Sequence, residues 1–286
     1  DLVRSRGLGD VYKRQDLHIH TTASDGRWTP EQVVAGVLAE GIGLFALADH
    51  DSVGNVARAE ILARQHGLAF LRGVEVSTTL DGRMFHILGY GIDIAHPDLL
   101  SALADNTAKL LETDNQDIRK LIELGYPIDY DDYATYEYDR TRGGFKSYNF
   151  LLERGFCTGT RDFFENIRAK LGHLWPTFIH PTEGVTLIRA AGGVPVLAHP
   201  HASLSGGFSE HGLELFRSLG VSGVECYSQY HDADMTARCV AWCQRYDMIV
   251  TGGSDYHGGF VGRQLGVPFV TTDDLQLGEL AQSIVI

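Results

Sequence analysis

Leu44-Phe45-Ala46-Leu47-Ala48-Asp49-His50-Asp51 (residues 44–51) decides the fold. Five apolar residues without a polar break read as a short strand buried on both faces, as in a parallel sheet covered by helices. Three titratable residues follow it at once. Upstream, Thr29-Pro30-Glu31-Gln32 supplies an N-cap, a proline at the first helical position and a capping-box glutamine. Val33, Val34, Val37 and Leu38 then recur at helical spacing, and Gly41 stops the helix. Downstream, a second helix is expected over 53–65. Helix, buried strand and helix in succession predict a parallel α/β sheet.

The alternation continues outward. A strand is expected over 68–76. Residues 76–80 and 84–90, joined by Asp81-Gly82, read as a hairpin. From 103 to 183 the texture changes: helical patterns over 103–124, 145–154 and 161–171 carry many tyrosines and acidic residues, with no strong buried strand. This stretch reads as a helical insertion domain. Strands are expected again over 194–198, 221–226 and 248–251, with helices over 210–219 and 233–245 and a short last strand over 267–271. Residues 16–102 plus 184–286 then form one α/β domain, a small barrel of about seven strand–helix units. Residues 1–15, with no methionine, no apolar core and four basic residues, read as a non-native tag.

Composition narrows the function. With 44% hydrophobic and 21% charged residues, the 286-residue chain has the balance of an ordinary globular protein. No apolar run reaches the roughly 20 residues of a membrane helix, so a spanning protein is excluded. A net charge of −13 argues against a long nucleic-acid duplex as partner but leaves a small phosphorylated ligand open. Cys157, Cys226, Cys239 and Cys243 show no CxxC spacing, and with no secretory signal they read as reduced thiols in a cytoplasmic protein.

Several of the 13 histidines sit near the ends of expected strands. His18 and His20 lie at i and i+2, on one face of a strand. Asp49-His50-Asp51 follows the second strand, Glu75 lies near the end of the third, and His86 sits in the hairpin. His199-Pro200-His201 follows a further strand, Glu225 lies near the end of the next, and Ser254-Asp255-Tyr256-His257 follows the last long one. Carboxyl ends of barrel strands converge on one face, so these side chains are expected in one cleft. A mixed histidine and carboxylate set suits Mn, Fe or Zn. Gathering carboxylates there without cations would cost several kcal/mol each. Asp49 reads as orienting a ligand histidine from behind, Asp51 as capping the next helix, and Glu225 as either structural or functional. His66, His96, His173, His180 and His211 read as surface or packing residues.

DLHIHTTASDG, ALADHDS, GVEVST, FHILGYGID, VLAHPH and GGSDYHG, in this order from residue 16 to about 260, resemble the motifs of the PHP (polymerase and histidinol phosphatase) superfamily. The SDG after HxHT, the HILGYGID segment and the long insertion are most similar to its 3′,5′-nucleoside bisphosphate phosphatase and 5′–3′ oligoribonuclease group. The resemblance implies a distorted (β/α)7 barrel with a helical insertion domain, holding three divalent metal ions, Mn²⁺ foremost, with Fe²⁺ or Zn²⁺ as alternatives. It implies one ion on His18, His20, Glu75 and Asp255, a second on Glu75, His86 and His199, and a third on Asp25, His50 and His257. In place of the group's Arg-Pro-His segment this chain reads Gly143-Gly144-Phe145-Lys146-Ser147-Tyr148, so Lys146 and Arg142 become the candidates for the substrate phosphate.

The activity so implied is a phosphatase or exonuclease acting on a small nucleotide or short oligonucleotide, by attack of a metal-bridging hydroxide on phosphorus. The catalytic candidates are Glu75, His201 and Asp49, with His201 or a metal-bound water as the source of the leaving-group proton. Histidinol-phosphate phosphatase is the alternative, and a non-catalytic PHP module is the third reading.

Overall fold

The computed structural model describes residues 14–172, 175–204 and 206–286. Among these, seven strands form one sheet in the order β1(Gln15–Ile19), β2(Leu44–Leu47), β3(Ala69–Leu80), β4(Arg83–Tyr90), β5(Val194–Leu197), β6(Gly223–Tyr227) and β7(Ile249–Gly252). The first three pairings are parallel, parallel and antiparallel; β4–β5 is antiparallel and the last two are parallel. The β3–β4 hairpin turns at Asp81-Gly82, with Leu80 opposite Arg83. Beyond β7, Tyr256 bridges in parallel to Ile19, and His20 N donates to Tyr256 O at 2.8 Å.

Helices α1(Pro30–Ala39) and α2(Val56–Gln65) lie between the first three strands. The Thr29–Gln32 capping box is formed, and Gly41 takes a φ of +65° after α1. The helices α3(Pro97–Glu123), α4(Tyr130–Thr135), α5(Lys146–Glu153), the short α6(Thr160–Asp162) and α7(Pro181–Ala190) follow β4. A π-helical turn over Phe163–Arg168 continues α6. The remaining helices are α8(Pro200–Ser203), α9(Glu210–Ser218) and α10(Ala233–Arg245).

The strands sort their residues by alternation. Phe45 and Leu47 pack outward with Val33, Val37 and Ala59 of α1 and α2. Leu44, Ala46 and Ala48 face the other way, with Leu71, Leu88, Val196 and Leu280. Both faces of β2 are therefore buried, as the unbroken apolar run requires. The helical stretch between β4 and β5 gathers its own apolar cluster, including Ile118, Tyr133, Phe150 and Phe163, which Phe260 joins from beyond β7. His96 and His180 cap α3 and α7 through Nδ1; His173 lies outside the described residues.

Several boundaries differ from expectation, and the limits drawn after residues 102 and 183 fall inside α3 and α7. The expected strand over 267–271 is reduced to one antiparallel bridge, Arg14 to Thr271. Pro268 has no N–H to give a ladder, and Phe269 is 71% exposed. The limit drawn after residue 15 falls inside β1. Gln15 opens that strand fully buried, and the Arg14 guanidinium bonds Glu40 and Gly266 O. Residues 1–13 of that segment lie outside the described residues. Among the described residues no helix is long and apolar enough to cross a membrane.

Candidate metal centre

The carboxyl ends of the strands bring nine predicted side chains to one place. His18 and His20 leave β1 on the same side, their ring centroids 5.1 Å apart. Gly253 permits this: a Cβ there would stand 2.3 Å from that of His18. His50 follows β2, Glu75 and His86 come from the hairpin, His199 follows β5, and Asp255 and His257 follow β7. Asp51, His199 and Asp255 hold φ values of +46°, +27° and +52°. Such backbone costs about 1–3 kcal/mol per residue and clusters at functional sites.

Glu75 is the hub, fully buried. Its Oε2 lies 3.2 Å from His18 Nε2, 3.3 Å from His20 Nε2 and 3.1 Å from His50 Nδ1. Its Oε1 lies 2.9 Å from His199 Nε2 and 3.2 Å from His86 Nδ1. Asp255 Oδ1 is 2.9 Å from His20 Nε2, and His257 Nε2 is 3.4 Å from Asp25 Oδ1. Three groups have ligating atoms mutually within 4.8 Å: His18, His20, Glu75 and Asp255; His50, Glu75 and His86; and His20, Asp25, His50 and His257. In the expected second set His199 Nε2 stands 2.9 Å from Glu75 Oε1, and His50 also gathers with Glu75 and His86.

The fit to a cation is tested by the atoms left over. His18 Nε2, His20 Nδ1 and Nε2, His50 Nδ1, Glu75 Oε2 and Asp255 Oδ1 are buried without a hydrogen bond. They face one another closely, but without hydrogen-bond alignment. Buried polar atoms normally find partners, and lone pairs converging on a common space suit a divalent metal. Electrostatics agree. Burial favours neutral forms, yet His18, His50 and His86 hold Glu75 well below the usual carboxylate range. Burial likewise opposes charge on His18, but Glu225, Glu75 and Asp255 outweigh it and hold that imidazole well above its ordinary value. His257 is raised to about 9, because Asp25 and Asp255 overcome its burial. His50 shows the opposite outcome: burial pushes it down to about 3 despite Glu75.

Other predicted residues go elsewhere. Asp49 accepts from Thr21 N (2.7 Å), Thr21 Oγ1 (2.7 Å) and Ser24 Oγ (2.6 Å). Both its oxygens are thus engaged in holding the loop at Thr21 and Ser24, and it does not line the cavity over the cluster. Asp51 does not cap α2, whose N-cap is Asn55; it accepts instead from Ser77 N and Asn106 Nδ2. His201 packs beside His231, whose Nε2 accepts from His201 N at 3.3 Å, and it does not line the cavity over the cluster. Lys146 lines that cavity, though its Nζ donates to Ala134 O at 3.0 Å. Arg142 is paired with Glu153 and does not line it.

Two further groups border the cluster. Glu225, which the sequence reads as either structural or functional, stands behind the His18 ring. It is fully buried, accepts from His199 N at 2.8 Å and lies 2.9 Å from His18 Nδ1. A carboxylate on the far nitrogen fixes which imidazole nitrogen points at the centre. Arg263 places Nη1 2.6 Å from Asp255 Oδ2; only its position eight residues after Asp255 hinted at this.

The cavity above the cluster has a volume of about 900 Å³. One wall is the histidine cluster; the others include Tyr138, Phe145, Lys146, Trp175 and Phe178. The profile of the PHP domain family matches residues 16–158. The chain belongs to the PHP domain family. It is 31% identical over 260 residues to a 3′,5′-nucleoside bisphosphate phosphatase of Chromobacterium violaceum, covering 88% of this chain and 90% of that protein. It is 30% identical over 250 residues to a 5′-3′ exoribonuclease of Haemophilus influenzae, covering 86% and 90%. The solved structure of a protein from Bifidobacterium adolescentis described as a metal-dependent phosphoesterase superposes with a TM-score of 0.80 at 27% identity, covering 95% of this chain and 96% of that one. This PHP-domain protein is a phosphoric ester hydrolase, the class to which the phosphatase and the exoribonuclease belong.

Proposed function

We propose that this PHP-domain protein hydrolyses a phosphate ester of a small nucleotide, either a 3′,5′-nucleoside bisphosphate or the end of a short oligoribonucleotide, at a centre of three divalent cations. The observation that carries this reading is one cavity whose floor is the unpartnered histidine–carboxylate cluster and whose walls hold aromatic rings and cations. About 900 Å³ accommodates a nucleotide. The bridge from Ile19 to Tyr256 supports a sheet closed as a distorted (β/α)7 barrel, formed by residues 16–102 and 184–286. The separate apolar cluster supports residues 103–183 as a helical insertion domain that roofs the cavity.

His18, His20, Glu75 and Asp255 would hold one ion, Glu75 with His86 and His199 a second, and Asp25, His50 and His257 a third. Mn²⁺ is favoured, with Fe²⁺ or Zn²⁺ also suited to this donor set. Such cations, when bound, acidify water toward a neutral-pH nucleophile and neutralise phosphate charge. The chain does the rest. Glu75 turns one oxygen to each side of the cluster, Glu225 fixes the His18 ring, and Asp49 fixes the loop that presents Asp25. Phe145, Trp175 and Phe178 offer flat apolar surface to a base, and Lys146 offers positive charge to a phosphate.

Release of inorganic phosphate from adenosine 3′,5′-bisphosphate and from histidinol phosphate, and of mononucleotide from a short oligoribonucleotide, is measured with protein loaded with Mn²⁺, Fe²⁺ or Zn²⁺. Nucleotide turnover that is lost in His20→Ala is expected. Turnover of histidinol phosphate alone replaces the substrate reading, and wild-type rates for His20→Ala in excess Mn²⁺ overturn the centre.

A further inference from the structure

Arg263 sits in the loop after β7 and lines the cavity, with 21% of its side chain exposed. Its guanidinium is fixed along one side. Nη1 lies 2.6 Å from Asp255 Oδ2 and donates to Asp255 O at 3.0 Å, and Nη2 donates to Tyr230 Oη. Tyr230 Oη in turn donates to Asp255 Oδ2 at 3.2 Å, and its ring lies under the guanidinium carbon at 4.8 Å. Asp255 is thereby divided: Oδ2 is taken by Arg263 and Tyr230, and Oδ1 is left for the histidine side.

A guanidinium has five N–H donors in one plane. Nη1 is taken by Asp255, with His257 Nδ1 also 3.2 Å away, and one Nη2 hydrogen goes to Tyr230, so Nε–H and the second Nη2 hydrogen remain for a ligand. The other cavity cations are placed differently. Lys146 rests on Ala134 O and the Tyr133 ring, and Arg168 is 4% exposed, bonded to Asp117 and covered by Trp175. Arg140 lies over Tyr138, 3.5 Å from Ser24 O. Among the described cavity-lining cations, Arg263 is the one in contact with the ligand set.

We propose that Arg263, clamped by Asp255 and Tyr230, is the side chain that receives the phosphoryl group of the substrate. This rests on the phosphoesterase reading above. A planar fork held rigid beside the cations binds two phosphate oxygens without reorganising, and a lysine cannot reproduce it.

Inorganic phosphate is the probe, titrated calorimetrically into Mn²⁺-saturated wild-type, Arg263→Gln and Arg263→Lys proteins, with bound Mn²⁺ counted by mass spectrometry. The expected result is a phosphate Kd raised about tenfold to a hundredfold in Arg263→Gln. A smaller rise is expected in Arg263→Lys, with Mn²⁺ content unchanged at saturation in both. Equal phosphate affinity in wild type and either folded variant overturns the proposal while leaving the hydrolase reading intact. Loss of Mn²⁺ with unchanged phosphate affinity per loaded molecule reduces Arg263 to a prop for Asp255. Wild-type protein that binds Mn²⁺ but no phosphate overturns both readings.

Discussion

Replacing Glu225 by Gln removes one charge from a side chain with no exposed surface and nearly preserves its shape. In the native chain Oε2 accepts from His199 N at 2.8 Å while Oε1 faces His18 Nδ1 at 2.9 Å. A carboxylate satisfies both, because both of its ends accept. A glutamine has one accepting end and one donating end. If its oxygen serves His199 N, its NH2 meets His18 Nδ1, which must then give up its hydrogen. The proton moves to Nε2, the nitrogen that faces Glu75 and the centre. If the amide is flipped, His18 keeps its tautomer but His199 N–H is left buried against another donor. The flipped arrangement costs about 1–3 kcal/mol, the penalty of one unsatisfied buried donor, whereas the first leaves every donor paired. The first instead blocks a ligand nitrogen, and loss of such a supporting partner lowers metal affinity about tenfold to a hundredfold. Mn²⁺ titration by calorimetry and urea denaturation of metal-free protein measure the two effects separately. Wild-type Mn²⁺ affinity together with wild-type stability in Glu225→Gln would refute the claim that this carboxylate sets the His18 ring.

Loading with Mn²⁺ should raise thermal stability, by about 2.7 kcal/mol for each ion held at a free concentration a hundred times its Kd; a melting temperature indifferent to Mn²⁺ and to chelator contradicts the clustered sites. Asn106→Leu should cost about 1–3 kcal/mol in urea denaturation, because Asn106 Nδ2 bonds both Asp51 Oδ1 (2.9 Å) and Ser77 O (2.8 Å) and ties α3 to the site. Glu60→Gln tests pH dependence. Arg72, at 2.6 Å, outweighs burial and holds the Glu60 carboxyl below its ordinary value. A depressed folded-state pKa stabilises above the unfolded value and is lost as pH falls through the folded one. The variant should therefore be about 1 kcal/mol less stable than wild type near pH 7, with the gap narrowing as pH falls below the ordinary carboxylate value; a gap that stays constant as pH is lowered rules this out.

The floor of the cavity was legible in the sequence and its roof was not, for a physical reason. Strand exits are local events. An apolar run followed by His or Asp fixes both the direction of the chain and the face on which it ends, so His18, His20, His50 and Asp255 could be placed together before any contact was known. Glu225 lay in the same register, but a buried glutamate reads alike whether it holds a histidine or a backbone amide, and it does both. The roof depends on how the helical stretch returns to the strand ends. Gly143 and Gly144, with φ values of +70° and +73°, make that return. Gly144 N donates to Asp25 O at 2.7 Å, and a Cβ on Gly143 would stand 2.9 Å from the same oxygen. The segment expected to bring a side-chain cation to the phosphate therefore also meets Asp25 through its backbone. Arg142 is turned to Glu153, and Lys146 is tied to Ala134 O. A positive charge is still present beside the cluster, but it comes from Arg263, more than a hundred residues later in the chain. The Arg263–Asp255 contact is local in the chain, whereas nothing in the pattern around Arg142 and Lys146 shows that their side chains are tied to Glu153 and Ala134 O.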